Sequence, residues 1–174
     1  PIFKYAKSPA WEFDSAPHDV GKYPFANGLA YGINPKTKVL YHDMLMPVEE
    51  CGNMLLMASA VAIAEQKTDF VEEYRTLFYQ KHREILLKWV DYLKQYGLDP
   101  ENQLCTDDFA GHLAHNSNLA IKAIVGLAAF GDMEYKSGGD GSEYITLAKE
   151  YAKEWKKSAY NGEWYKLAYD REDS

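Results

Sequence analysis

The middle of the sequence holds a long apolar segment, residues 48–66, in which Leu, Met and Ala predominate. No charged residue occurs between Glu50 and Glu65. Leu, Met and Ala are strong helix formers, and Pro47 is suited to the first turn of a helix. Glu49 and Glu50 suit the positive end of the helix dipole. The segment therefore predicts a helix buried on most of its sides, which commits the chain to a fold of packed helices.

Other segments also place apolar residues at helical spacing. One starts near Asp69 and runs through Phe78, and the others cover 81–96, 117–130 and 142–158. Gly97 and Gly131 are predicted to end two of these helices, Gly97 in the left-handed conformation. Repeated Pro, Gly and Asn-Gly turn signals predict an irregular N-terminal lead over residues 1–46. The expected fold is a single all-α domain over residues 1–174, built as an array of helical hairpins.

The net charge and the motifs of the sequence limit which partners and ligands are expected. A formal net charge of -7 without a basic cluster argues against nucleic acid as a partner. No apolar run reaches the roughly 18 residues of a membrane-spanning helix, so no membrane insertion is expected. Nucleotide-binding glycine loops and the HExxH zinc motif are absent, so we expect no cofactor and no metal ion, although His112 and His115 have HxxH spacing. Cys51 and Cys105 lack a CxxC neighbour, and the simplest interpretation is two buried thiols, with a disulfide between them as the open alternative.

Polar residues in apolar surroundings mark two candidate positions in the first third of the chain. His18 and Asp19 are adjacent, and the simplest interpretation is a turn in which Asp19 caps local amides. Glu49 and Glu50 diverge by about 100° around the predicted helix. One carboxylate can therefore face a cleft while the other pairs elsewhere. The alternative explanation is that the helix dipole favours acidic side chains in a first turn. Asn53 precedes the apolar run, and its amide needs partners if it is buried.

The densest polar cluster lies between residues 106 and 122. It combines acids, histidines, asparagines and a lysine: Asp107, Asp108, His112, His115, Asn116, Asn118 and Lys122. Asn118 and Lys122 are four residues apart and share one face of a helix. Lys122 stands among apolar residues, where a lysine either extends its amine to solvent or pairs with a carboxylate. The sequence leaves both alternatives open.

These clusters predict hydrolytic chemistry by paired carboxylates. One acid protonates a leaving group while another activates water or attacks, and unlike surroundings separate their pKa values. A serine-type triad is not supported, because the GxSxG motif is absent. The predicted catalytic residues are Glu50, Asp108, Asp107 and Asp19. The predicted substrate-binding residues are His18, Glu49, Asn53, His112, Asn116, Asn118 and Lys122.

Four motifs, in their order and spacing, carry a resemblance to a known family. They are APHDVGKYP at 16–24, MPVEECGNM at 46–54, TDDFAGH at 106–112 and the segment 116–122. The chain resembles the glutaminase A family, which is similar to the six-hairpin glycosidases. The resemblance implies an (α/α)6 toroid and hydrolysis of L-glutamine to L-glutamate and ammonia without a nucleotide cofactor. It also implies a secreted, periplasmic or cell-surface location.

The length of the chain indicates that it holds only part of such a toroid. At about 35 residues per helix, twelve helices need roughly 400 residues, whereas the chain has 174. The expected fold is therefore a partial (α/α)6-toroid-like array. Its expected partners, besides a small polar substrate, are the remaining parts of a longer chain or a second copy in a homodimer.

Two other functions stay open at this point. A glycoside hydrolase of the six-hairpin type would share the architecture, and the 14% aromatic content suits a sugar ligand. A non-catalytic helical module that binds carbohydrate would not need its polar clusters to meet. The active-site hypothesis requires Asp19, Glu50, Asp108 and His112 to converge on one cleft.

Overall fold

The computed structural model describes residues 1–21, 44–67, 77–105 and 111–172. These residues form five helices: α1 (Ile2–Ala6), α2 (Pro47–Lys67), α3 (Leu77–Tyr96), α4 (Ser117–Lys136) and α5 (Ser142–Ala159). The described ranges contain isolated β-bridges but no β-strand. The predicted all-α hairpin array is confirmed, and α2 and α5 match their predicted bounds to within a residue. No helix in these ranges is both long and apolar enough to cross a membrane.

The N-terminal lead and the third helix differ from their predictions. The predicted break between residues 78 and 81 is wrong, because α3 runs continuously over Leu77–Tyr96. The predicted helix start near Asp69 lies outside the described residues. The lead begins with α1, although it was predicted to be irregular. The Phe3 ring of α1 stacks on His82, with ring centroids 4.2 Å apart, and lies 5.5 Å from the ring of Trp89. These contacts with α3 stabilise a helix of only five residues.

Two glycines predicted to end helices allow helices to approach each other, and of the two only Gly97 also follows a helix end. α4 continues past Gly131 to Lys136, and a Cβ at Gly131 would lie 2.9 Å from the carbonyl oxygen of Gly141, just before α5. Gly97 does follow the end of α3, but it is not among the described glycines with a positive φ. A Cβ at Gly97 would lie 2.6 Å from the Cβ of Ala123 on α4. Both glycines are therefore required by packing between helices.

α2 and α4 cross at van der Waals distance at the centre of the array. A Cβ at Gly126 would lie 3.1 Å from the Cα of Gly52, and a Cβ at Gly52 would lie 2.8 Å from the carbonyl oxygen of Lys122. Fully buried side chains of α2, α3 and α4 belong to the same core: Leu55, Leu86, Trp89, Leu93, Leu119, Leu127 and Phe130. Burial of each such side chain contributes roughly 1.5–3 kcal/mol relative to exposure.

The segment after α5 folds back onto the start of α4. The Ser117 amide donates a hydrogen bond to the Leu167 carbonyl oxygen at 3.0 Å. Trp155 stacks on Tyr165, with ring centroids 4.8 Å apart, and its indole N–H donates to the Ser117 carbonyl oxygen at 2.9 Å. The C-terminal segment therefore fixes the first turn of α4.

Part of the outer surface of α2 and α4 is apolar. The exposed side chains are Leu56, Met57 and Val61 on α2, and Ile121 and Val125 on α4. Exposed apolar side chains grouped on packed helices are typical of surfaces that contact other helices or other chains.

Candidate functional site

The first turn of α2 presents two carboxylates in different directions. Glu49 and Glu50 both lie in this turn, about 100° apart around the helix axis. The side-chain oxygen Oε1 of Gln103 accepts a hydrogen bond from the Val48 amide at 3.0 Å, and Gln103 is itself buried. Because a first-turn amide has no acceptor within its own helix, this bond fixes the start of α2. Sequence reasoning missed Gln103, since a cap supplied from 55 residues away leaves no local signal.

Glu50 points towards the N-terminal segment and contacts His18. The Nδ1 atom of His18 lies 3.0 Å from Oε1 of Glu50. The two side chains are 32% and 16% exposed, so both are reachable from solvent. The hydrogen bond to Glu50 raises the pKa of His18, and burial acts in the opposite direction. The nearby negative charges of Asp19 and Glu49 raise the pKa of His18 further.

The segment around His18 is held in place by buried contacts. The Ala16 amide donates to Sγ of Cys51 at 3.2 Å, and the Trp11 indole donates to the Ser15 carbonyl oxygen at 2.8 Å. Oδ1 of Asp19 accepts a hydrogen bond from the Gly21 amide at 2.8 Å, as in the turn interpretation of the sequence. Cys51 belongs to α2, so the segment and the acidic turn are fastened directly to each other.

Glu49 points the other way and pairs with Lys122. Nζ of Lys122 contacts Oε1 of Glu49, which joins α2 to α4. The Glu49 side chain is 1% exposed and that of Lys122 is 25% exposed. Of the two alternatives for Lys122, the structure therefore shows the pairing with a carboxylate. A buried carboxylate requires such a partner, because desolvation of an unpaired charge is costly.

The remaining asparagines occupy different environments. Asn116 is buried and caps α4, because its side-chain oxygen accepts hydrogen bonds from the amides of Asn118 and Leu119. Its side-chain nitrogen donates to Sγ of Cys105 at 3.7 Å. The Asn118 side chain is exposed, and Asn53 is partly buried on α2. Their predicted roles in substrate binding stay predictions.

The acidic loop and His112 complete the predicted set. Asp107 and Asp108 lie outside the described residues. His112 lines a cavity whose lining contains neither His18 nor Glu50. Among the described positions, the structure groups His18 with Asp19, Glu49 and Glu50, and the predicted substrate-binding role of His112 stays a prediction.

The described residues of the candidate site can act as acids and bases. Within 1–21, 44–67, 77–105 and 111–172, no three His, Cys, Asp or Glu side chains group as metal ligands. Cys51 and Cys105 are buried free thiols, as predicted. Burial raises the pKa of the Cys51 thiol, which keeps it protonated and a poor nucleophile. The His18–Glu50 pair can hold and release a proton near neutral pH.

The fold and this pair define a helical-hairpin domain that carries a carboxylate–imidazole pair at the start of a central helix. The chain belongs to the glutaminase A family, since the family's six helical-hairpin domain matches residues 1–174. Glutaminase A of Aspergillus oryzae is 36% identical over 158 residues, which cover 89% of this chain and 20% of that protein. A probable glutaminase of Arthroderma benhamiae is 27% identical over 222 residues, with 98% of this chain and 25% of that protein covered. The chain thus spans a fifth to a quarter of the length of these relatives.

Proposed function

We propose that this chain contributes part of the active site of a hydrolase that converts L-glutamine to L-glutamate and ammonia. The relatives named as glutaminases support the substrate. The observation that carries the proposal is the 3.0 Å contact between Nδ1 of His18 and Oε1 of Glu50. Both residues were singled out in the sequence, and both remain accessible to a small polar substrate.

Amide hydrolysis sets two requirements for proton transfer. Water adds to the amide carbon and loses a proton, the carbon–nitrogen bond breaks, and the leaving nitrogen must gain a proton. The raised pKa of His18 keeps its imidazole protonated nearer to neutral pH. In this proposal His18 donates its proton to the leaving nitrogen, and Glu50 stabilises and orients the imidazolium.

A second carboxylate is needed as the base that activates water. The sequence predicts Asp108 or Asp107 as this base, in keeping with paired-carboxylate chemistry. Asp19 adds negative charge next to His18 and so helps to keep the imidazole protonated. Glu49 is paired with Lys122 inside the helix crossing, and in this proposal the pair sets the direction in which Glu50 points.

The test is ammonia release from L-glutamine by the native protein and by matched variants. Glu50→Gln and His18→Asn should each lower kcat/KM at least about 100-fold, the usual contribution of general acid catalysis. Asp99→Asn is the matched control, because His115 and Asp99 form a similar pair at 2.7 Å that is largely exposed. The control should retain full activity.

The pH profile provides a second readout. If His18 is the acid, the activity should fall as the pH rises through its raised pKa, and Glu50→Gln should move that limb to lower pH. A native protein that releases no ammonia from glutamine would refute the proposed substrate. Full activity of Glu50→Gln would refute the proposed role of the pair.

A further inference from the structure

A second feature of the molecule is a cavity of about 680 Å³ whose lining includes Phe13, Asp14 and Ser15, just before His18 in the chain. One face of α3 forms one wall, and the segment 13–15 and the loop 101–103 form others. Leu45 and Pro47 border it at the start of α2. Its volume falls within the range of about 300–1,000 Å³ that is typical of small-molecule sites. Neither His18 nor Glu50 is part of its lining, although His112, a predicted substrate-binding residue, is.

The cavity contains polar groups that are available to a ligand. Asp91, Tyr92, Glu101 and Asn102 line it, and their side chains form no hydrogen bond with another residue in the described part of the chain. Lys88, by contrast, is already engaged, because its amine lies 3.1 Å from Oδ1 of Asp14 and donates to the Phe13 carbonyl oxygen. The available groups include both donors and acceptors.

Aromatic rings supply the apolar part of the lining. Phe13, Tyr92 and Tyr96 all border the cavity, and the rings of Tyr92 and Tyr96 lie 4.8 Å apart between centroids. Burial, followed by the nearby negative groups, raises the pKa of Tyr92, so its hydroxyl stays protonated and can donate. A tyrosine combines an apolar ring with a polar tip, which suits ligands that have both kinds of surface.

The charges of the lining decide between ligand classes. Among the described lining residues, the carboxylates of Asp14, Asp91 and Glu101 outnumber the cationic Lys88 and the imidazole of His112, so an anionic ligand would be repelled. An ammonium group only donates hydrogen bonds and would leave the Asn102 N–H donors unused. A hydroxyl group donates and accepts, so a polyhydroxylated ligand can satisfy carboxylates and amide together.

We propose that this cavity is a binding site for a neutral carbohydrate, formed by the face of α3 that carries Asp91, Tyr92 and Tyr96 together with Asn102 of the neighbouring loop. The sugar's hydroxyl groups bond to the carboxylates, the tyrosine hydroxyl and the amide. Its C–H faces pack on the tyrosine rings. The lining of this site does not include His18 or Glu50, and the proposal does not depend on glutaminase activity.

The experiment is a titration of the 174-residue chain with neutral trisaccharides, followed by calorimetry and by saturation-transfer NMR. The probes are maltotriose, cellotriose, mannotriose, xylotriose and chitotriose. At least one should bind with a Kd of about 1 mM or tighter. Tyr92→Phe, which removes only the hydroxyl, and Asn102→Ala, at an exposed position, should each weaken that binding about fivefold or more.

Tyr135→Ala is the matched control, because Tyr135 is 76% exposed and does not line the cavity. This variant should bind the sugar like the wild type. The proposal is overturned if no probe binds at about 10 mM, or if both cavity variants bind with unchanged affinity. Binding of n-butylammonium in place of the sugars would assign the cavity to cations and would also overturn it. Displacement of the sugar by L-glutamine would assign the cavity to the proposed active site and refute a separate sugar site.

Discussion

The pair between Lys122 and Glu49 allows a direct test of what holds α2 against α4. Lys122→Met removes the amine but keeps an unbranched side chain of similar length. The Glu49 carboxylate, which is 1% exposed, would then remain buried without the Lys122 ammonium group. The main-chain contact between Lys122 and Gly52 would be unchanged, so the substitution isolates the charge.

The expected cost follows from the burial of the two partners. Removal of one member of a buried ion pair destabilises a protein by about 3–5 kcal/mol. The Lys122 side chain is 25% exposed, and solvent already screens part of the interaction, so we expect the lower end, about 3 kcal/mol. The double variant Glu49→Gln/Lys122→Met leaves no charge behind. It should be more stable than Lys122→Met alone, by about 1–2 kcal/mol.

The assay is urea unfolding followed by circular dichroism, with the wild type, both single variants and the double variant forming a thermodynamic cycle. Lys136→Met is the control, because Lys136 pairs with Asp132 on the same helix with both side chains more exposed. That change should cost less than about 0.5 kcal/mol. If Lys122→Met costs no more than Lys136→Met, or if the cycle gives no coupling energy, the buried pair does not stabilise the crossing and the reasoning is wrong.

Three further predictions test other contacts. Gly141→Ala would place a Cβ 1.8 Å from the carbonyl oxygen of Gly131. The substitution should therefore destabilise the folded chain by about 3 kcal/mol or more. An unchanged Tm would contradict the packing of α4 on α5. Asn116→Ala should cost about 0.5–2 kcal/mol through loss of the α4 cap, and Asn116→Ser, which can still cap, should cost less in the same unfolding assay. An NMR titration should show a raised pKa for His18 that falls in Glu50→Gln. Because the pKa of His18 is raised in the folded state, the contact stabilises the folded protein fully at pH values below the unfolded pKa of about 6.5. This stabilisation is lost as the pH rises through the folded-state pKa. A His18 pKa that Glu50→Gln leaves unchanged would refute the contact.

The helices were predictable where the signal is local. Helix-forming residues, Pro47 in the first turn and the two acids behind it mark α2 by interactions within a few residues. The amphipathic spacing of α5 is equally local. Gly97 does follow the end of α3, as predicted, but its left-handed conformation and a helix end at Gly131 were wrong predictions, because a glycine looks the same in a sequence whether it ends a helix or permits close packing. Gly131 and Gly97 serve packing, and their neighbours Gly141 and Ala123 are brought to them only by the fold.

The candidate site was likewise predictable only in part. His18 and Glu50 were recognisable as polar residues in apolar surroundings, but nothing local indicates that they meet across 32 residues. The face of α3 that lines the cavity was not singled out at all. In the sequence, Asp91, Tyr92 and Tyr96 resemble an ordinary solvent-facing surface, and only the fold places the segment 13–15 and the loop 101–103 beside them as further walls of a cavity.

The sequence by itself determined that the first turn of α2 carries two acids, because residue type and helical geometry are local properties. It determined also that they point about 100° apart. Only the tertiary structure decided that Glu49 is buried against Lys122 and that Glu50 meets His18. The reason is physical: the environment of a charge depends on which distant segments remove water from it and which bring a partner.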